Sequence, residues 1–202
     1  MINFIEYELT NSVRNILNSI YNSKDRHYHN YKHINNMLYT LDKLIENNSE
    51  IKDKIDYKIM RIAILFHDII QATSLNEKYS SEITEIILNG LHYDDFIINK
   101  VCRLILVTDY MQLQDSSSME FDEQLIRDLD LKELSSEWQD YMHNSFLIRQ
   151  EYPISHEQFK DGRQKFLKHM LSFPKIYSTK YFENMENKAR ENIKRELDAI
   201  NS

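Results

Sequence analysis

The sequence predicts an all-α protein, and two observations carry this prediction. The 202 residues include only 2 glycines and 2 prolines. This is about 2% of the chain, against a usual total of about 12%. The tight turns of sheet proteins depend on these residues, because glycine adopts positive φ and proline fixes φ. Apolar residues also recur at three- and four-residue steps along nearly the whole chain, which is the period of an amphipathic helix.

The N-terminal half shows this periodicity in three segments. A first apolar stripe runs over 4–21, and the polar stretch 22–30 ends it. The stripe resumes over 31–45. Asp56 is the predicted N-cap of the next helix, 57–70. This helix is apolar nearly all round, so we expect it at the centre of the fold.

The rest of the chain continues the pattern without a linker or an internal repeat. Further helices are predicted over 77–88, 95–108, 120–131, 136–152, 157–173 and 181–200. The predicted loops are 47–53, 71–76 and 109–119, and Asn89-Gly90 predicts a helix C-cap. Residues 1–202 are therefore predicted to form a single domain.

Charge and cysteine usage exclude several classes of partner. The net charge of −7 at pH 7 excludes bulk binding of nucleic acid, which needs a surplus of Lys and Arg. Cys102 stands alone, so an intrachain disulfide is excluded and a reducing compartment is expected. The N-terminus lacks the basic region of a signal peptide, and the longest central apolar run, 62–66, is too short to span a bilayer. We therefore expect a soluble cytoplasmic protein with no membrane partner.

Histidines and acids at apolar positions suggest a metal site. His33 lies on an apolar stripe beside Ile34, and His67-Asp68 follows the apolar run 63–66. Asp130 stands between two leucines. A buried carboxylate is costly unless it is paired or bound to a metal. Two imidazoles with two carboxylates suit a divalent cation, although each group could instead be a satisfied polar residue of the core.

Short motifs in a fixed order carry a family resemblance. They are Arg26-His27-Tyr28-His29-Asn30 with His33-Ile34, 63–68 ending in His67-Asp68, Asn76-Glu77 with Ser80, 128–131, Ile148-Arg149 with Glu151-Tyr152, Gly162-Arg163, 176–179, and 189–192 with Glu196-Leu197. In this order the chain resembles the HD superfamily of metal-dependent phosphohydrolases, in particular its compact bacterial members. The resemblance covers about residues 20–198.

The resemblance implies a fold, a cofactor and an activity. It implies an all-α HD-type fold in which a central helix presents His67-Asp68. It implies that one divalent ion (Mn, Mg, Fe, Co, Ni or Zn) is held by His33, His67, Asp68 and Asp130. Such an ion activates a water for attack on phosphorus, and Asp68 also orients that water. The expected substrate is a small phosphorylated metabolite, with nucleotides favoured; the alternative is a catalytically weak module that binds and senses a nucleotide.

Other residues have two open interpretations each. Glu77 is a candidate catalytic residue for water activation or leaving-group protonation, or it caps the following helix. Arg26, Lys78 and Arg149 are candidate phosphate contacts, or they form surface ion pairs, and the same alternatives hold for Arg163. His29 either lines the substrate site or faces solvent.

One departure from the HD pattern bears on the number of metal ions. Two-metal HD proteins place two further histidines between the His-Asp pair and the last Asp, and only His92 lies in that interval here. Asp109-Tyr110-Met111 stands where related chains are expected to have a histidine soon after Thr108. A single metal is therefore predicted and a di-iron oxygenase is disfavoured. An altered substrate or a reduced activity stays open, and the sequence carries no signal for an oligomeric state.

Overall fold

The computed structural model describes residues 9–112 and 118–201. Within these ranges it contains nine α-helices and no β-strand, which confirms the all-α prediction. The helices are α1 (Asn11–Tyr21), α2 (Tyr31–Asn47), α3 (Tyr57–Phe66), α4 (Asn76–Gly90), α5 (Asp95–Leu106), α6 (Phe121–Leu131), α7 (Trp138–Glu151), α8 (His156–Ser172) and α9 (Glu186–Asn201). Short 3₁₀ segments cover Ser49–Ile51, Lys132–Ser135 and Lys180–Met185.

The chain divides into two compact units, Met1–Thr108 and Asp109–Ser202. The assignment of residues 1–202 to one domain stays a prediction. In the part of the chain that the structure describes, no helix combines the length and apolarity needed to cross a membrane.

In the first unit, α3 forms the centre as its composition predicts. Every residue of 59–66 is buried, and α3 packs against α2, α4 and α5. The helix begins where expected, because the Asp56 carboxylate accepts a hydrogen bond from the Ile59 backbone N–H at 3.1 Å. Because α3 is buried on all sides, its packing fixes the position of His67 and Asp68, which follow its last turn.

The predicted extension of α3 to residue 70 is wrong, because the helix ends at Phe66. The Ile70 N–H donates to Ser80 Oγ at 3.1 Å instead of continuing the helical ladder. The carbonyls of Asp68 and Ile69 accept hydrogen bonds from the Arg26 guanidinium. Tertiary partners therefore replace helical ones, and His67 and Asp68 lie at the helix terminus.

Two other helix ends in this unit differ from prediction. Residues 9 and 10 of the first predicted stripe are not helical and α1 begins at Asn11, since the Thr10 hydroxyl accepts from the Val13 N–H; residues 1–8 lie outside the described part. Gly90 is not a left-handed cap, because it is still helical and His92 takes the positive φ of 59°. The loop predicted at 47–53 contains the 3₁₀ turn, and residues 113–117 of the loop predicted at 109–119 are not described.

In the second unit, α9 packs against α7, α8 and the 3₁₀ segments Lys132–Ser135 and Lys180–Met185. The single helix predicted over 181–200 is divided, since Lys180–Met185 is 3₁₀ and α9 begins at Glu186. Asp128 of α6 is fully buried, and its carboxylate accepts hydrogen bonds from Ser178 N–H, Thr179 N–H and the Thr179 hydroxyl. Burial raises the pKa of the Asp128 carboxyl to about 6, although these donors act to lower it.

Candidate metal centre

Three predicted ligands meet at the end of α3 in the first unit. His33 is the third residue of α2, His67 caps the C-terminus of α3, and Asp68 follows it. All three are buried, with 5%, 2% and 8% of their surface exposed. The helix pair α2–α3 thus brings together side chains that are 34 residues apart in the chain.

Their ligand atoms face one another closely. His33 Nε2 lies 3.4 Å from His67 Nε2 and 3.4 Å from Asp68 Oδ2. His67 Nε2 lies 2.9 Å from the same carboxylate oxygen. Two ring nitrogens and one oxygen therefore surround a single point, as the ligands of one ion must. Both histidines also belong to a candidate metal-binding set of side chains, and that set does not include Asp68.

The ring orientation of His67 is set by the backbone of its own helix. His67 Nδ1 lies 2.9 Å from the Ile64 carbonyl oxygen. A carbonyl only accepts, so this contact places the ring proton on Nδ1 in the neutral imidazole and leaves the lone pair on Nε2. Metal-binding histidines are usually held by such a second hydrogen bond. His67 therefore presents a ligand nitrogen toward Asp68 and His33.

The two oxygens of Asp68 differ in their surroundings. Oδ1 accepts a hydrogen bond from Gln71 Nε2 at 2.6 Å. Oδ2 is buried, and apart from the ring nitrogens of His33 and His67 it has no hydrogen-bonding neighbour among the residues that the structure describes. A buried carboxylate oxygen without a donor is costly unless a cation neutralises it. Oδ2 is thus the atom on which a bound cation would have the largest effect.

Electrostatics favour the ionised carboxylate. Burial acts to raise the pKa of Asp68, but the charges of His67 and His29 and the contacts of His33 and His67 outweigh it. The pKa of Asp68 therefore lies well below its ordinary value. The donor set of two imidazoles and a carboxylate fits a divalent transition metal, so the residues present fit the predicted cofactor.

Arg26, Tyr28 and His29 lie beside the same cluster, whereas His27 is exposed. The His29 and Tyr28 rings lie 5.9 Å and 5.2 Å from the His33 ring. Arg26 donates to the carbonyl oxygens of His29, Asp68 and Ile69 at 3.2, 2.5 and 2.7 Å. Its guanidinium therefore ties this segment to the His-Asp turn, and its phosphate contact stays a prediction.

The two candidates on α4 occupy its first turn. Lys78 is exposed, and its Nζ lies 3.9 Å from Glu82 Oε1, which matches the surface ion-pair alternative. Glu77 is half-buried. Both alternatives for Glu77, a catalytic group or a helix-capping group, stay open.

The remaining candidates belong to the second unit. Asp130 of α6 is half-buried, and one of its carboxylate oxygens accepts a hydrogen bond from the Tyr110 hydroxyl at 2.6 Å. Its role as a metal ligand stays a prediction from the resemblance. Arg149 donates to the carbonyl oxygens of Tyr152 and Ile154 at 2.9 and 2.8 Å. These contacts to backbone carbonyls differ from the surface ion pair that the sequence offers as the alternative to phosphate binding.

Arg163 has a structural partner that its sequence neighbours do not reveal. Its Nε and Nη2 donate to the two carboxylate oxygens of Glu196 at 2.9 Å each. This bidentate contact joins α8 and α9, and it takes the place of the surface ion pair that was one alternative for Arg163. The guanidinium is nearly buried, with 10% of its side chain exposed.

Sequence reasoning missed two residues that touch predicted ligands. Gln71 contacts Asp68, and Tyr110 contacts Asp130. Gln71 lies three residues after its partner, within a stretch predicted only as a loop. Tyr110 lies in the stretch 109–111, where a histidine was expected. That departure from the family pattern was the only feature of the sequence that could have drawn attention to Tyr110.

Comparison with known proteins gives no further identification. A scan against protein-family models finds no matching family, and searches of curated proteins and solved structures find no similar protein. The relationship to the HD superfamily therefore stays a prediction from the sequence motifs.

Proposed function

We propose that this protein is a metal-dependent phosphohydrolase acting on a small phosphorylated metabolite, with nucleotides as the first class to test. The observation that supports it is the meeting of His33, His67 and Asp68, with one buried carboxylate oxygen that has no donor besides these two imidazole rings among the described residues. An apolar core seldom holds such a group unless a cation neutralises it.

In this proposal His33, His67 and Asp68 hold one divalent ion, and Asp130 is the fourth ligand on the sequence resemblance. The ion supplies Lewis acidity toward a phosphoryl oxygen and lowers the pKa of water. The Ile64 carbonyl accepts from His67 Nδ1, so Nε2 is the nitrogen that would bind the ion. Arg26 holds the His-Asp turn against residues 26–29 by its contacts with carbonyl oxygens.

Two further residues would act on the substrate. Glu77 would accept a proton from water or donate one to the leaving group. His29 lies beside His33, where it would line the substrate site. The net charge of −7 favours a small substrate over a polyanion.

A second candidate function is a module that binds and senses a nucleotide without turnover. The observation that favours it is the state of the predicted phosphate contacts. The guanidiniums of Arg26 and Arg149 both donate to backbone carbonyls. Arginines held in this way have fewer donors left for a transferring phosphoryl group.

The test combines metal content with phosphate release. The purified full chain is analysed for metal and assayed on a nucleotide panel with Mn²⁺, Mg²⁺, Fe²⁺, Co²⁺, Ni²⁺ and Zn²⁺. We expect about one ion per chain and turnover of one nucleotide class. Both are lost in His67→Ala and Asp68→Ala. His156→Ala, which removes an exposed histidine of α8, retains both.

The other outcomes separate the alternatives. Bound metal and ligand-induced thermal stabilisation without turnover would support the sensing module. Turnover that survives in both His67→Ala and Asp68→Ala would contradict the proposed site. A chain that binds none of the metals would show that the cluster is structural.

A further inference from the structure

The segment that joins the His-Asp turn to α4 forms a connected set of hydrogen bonds. Gln71 Nε2 donates to Asp68 Oδ1 at 2.6 Å, and Gln71 Oε1 accepts from Asn76 Nδ2 at 3.1 Å. Asn76 is the first residue of α4 and is buried. One amide side chain therefore connects a predicted metal ligand to the start of the helix that carries Glu77.

The direction of these hydrogen bonds is fixed by a backbone donor. Asn76 Oδ1 accepts from the Thr73 N–H at 2.8 Å, and a backbone N–H can only donate. The other end of the Asn76 amide is therefore the Nδ2 donor, which faces Gln71. Gln71 must therefore accept this hydrogen bond with Oε1, so its Nε2 is the atom directed at Asp68. The contact with Asp68 is thus a donated hydrogen bond and not the reverse amide orientation.

The same segment is held in one conformation at several points. Ala72 adopts φ 64°, which is uncommon for a residue with a Cβ atom. The Leu75 N–H donates to Thr73 Oγ1 at 3.1 Å, and the Ile70 N–H donates to Ser80 Oγ at 3.1 Å. A left-handed residue persists where its surroundings determine it, and such residues concentrate at functional sites. Gln71 is therefore placed by its neighbours.

We propose that Gln71 is a positioning residue that binds Asp68 Oδ1 and leaves Oδ2 as the single oxygen presented to the metal. This inference rests on the proposed metal-dependent function and deepens it. Partners that hydrogen-bond to a ligating side chain orient it, and their loss typically lowers metal affinity 10–100-fold. Gln71 would do this for Asp68, as the Ile64 carbonyl does for His67.

The test measures metal affinity of the full chain by titration calorimetry with Mn²⁺ after chelator treatment. Gln71→Met keeps the length of the side chain and removes the donor, and we expect about a 10–100-fold loss of affinity. The visible spectrum of the Co²⁺-loaded protein reports the ligand arrangement, and we expect it to change. The matched control is Gln164→Met, which removes a hydrogen bond from Gln164 Nε2 to Asn201 Oδ1 in the second unit. This control retains the affinity and spectrum of the unmodified protein.

A second variant changes the direction of the Gln71 amide without changing Gln71. In Asn76→Asp, one carboxylate oxygen still accepts from the Thr73 N–H. The other oxygen replaces the Nδ2 donor, so it can only accept a hydrogen bond from Gln71. The Gln71 amide must then rotate, which directs Oε1 at Asp68. Added negative charge alone would favour a cation, so reduced affinity in this variant points to the amide direction. In the double variant Gln71→Met with Asn76→Asp we expect no loss of metal affinity beyond that of Gln71→Met alone, because both substitutions remove the same hydrogen bond to Asp68.

The outcomes distinguish this inference from the proposed function. If Gln71→Met and Asn76→Asp both bind Mn²⁺ within about twofold of the unmodified protein, well short of the expected loss, and their Co²⁺ spectra are unchanged, Gln71 does not position Asp68. The metal-dependent function would then stand without it. If the unmodified protein binds neither ion, both the metal centre and the role of Gln71 are refuted.

Discussion

Substitution of Glu196 tests how the second unit is held together. Its carboxylate accepts hydrogen bonds from both Arg163 nitrogens at 2.9 Å, from Ser145 Oγ at 2.6 Å and from the Tyr141 hydroxyl. These partners belong to α7 and α8, while Glu196 belongs to α9. One buried carboxylate therefore joins three helices.

The expected magnitude follows from burial. The Glu196 and Arg163 side chains are 4% and 10% exposed. Glu196→Leu leaves the Arg163 charge buried without its partner, and loss of one member of such a pair costs about 3–5 kcal/mol. Glu196→Gln keeps the volume and removes the charge, and hydrogen bonds to charged groups contribute about 1.5–3 kcal/mol.

The assay is urea denaturation followed by circular dichroism at pH 7. The double variant Arg163→Met with Glu196→Leu should recover most of the stability lost in Glu196→Leu, because no unpaired charge stays buried. The matched control is Glu183→Gln, which removes an ion pair to Lys175 in which both side chains are more than half exposed. It should leave the denaturation midpoint unchanged. A change below about 0.5 kcal/mol in Glu196→Leu, the range of an ordinary surface substitution, would refute the reasoning.

The pH dependence of this network has a defined sign. Burial acts to raise the pKa of Glu196, but the Arg163 charge and the hydrogen bonds from Arg163, Ser145 and Tyr141 outweigh it and hold the pKa below 4.5. The folded state thus binds this proton less readily than the unfolded state. The stabilisation is complete above pH 4.5 and is lost as pH falls through the lower folded-state pKa. The stability difference between the unmodified protein and Glu196→Gln should therefore shrink on acidification, and a constant difference would contradict this.

Three further predictions concern local structure. Asp56→Ala removes the N-cap of α3 and should lower the free energy of unfolding by about 1 kcal/mol in urea denaturation. Asp53→Ala, at an exposed turn residue before α3, should not, and equal effects would contradict the capping role. Asp128→Ala leaves the buried Thr179 N–H and its neighbours without an acceptor, so we expect a loss of about 1–3 kcal/mol, and an unchanged midpoint would count against it. Ala72→Gly removes the strain of the positive φ, which is about 1–2 kcal/mol for a residue with a Cβ atom. The greater flexibility of glycine in the unfolded chain offsets a smaller part of this gain. Its melting temperature should equal or exceed that of the unmodified protein, and a clear decrease would show that Ala72 is not strained.

Local information is enough to predict the all-α class and the approximate positions of most helices, and it selects the residue types of the candidate site. The scarcity of glycine and proline, with apolar residues at helical spacing, predicted the all-α class. Asp56 was identified as a cap because its hydrogen bond reaches only three residues along the chain. His33, His67 and Asp68 were selected because polar groups at apolar positions are costly to bury.

The tertiary structure decided where α3 ends and what surrounds the ligands. Ser80 and Arg26 end α3 at Phe66, and no local pattern shows those contacts. The partners of Arg163 and Asp128 lie 33 and about 50 residues away in the chain. The sequence by itself determined which polar groups need a partner when buried, because the free-energy cost of burying an unpaired group depends on the residue type. Which partner satisfies each group depends on the packing of distant segments, and only the folded chain specifies it.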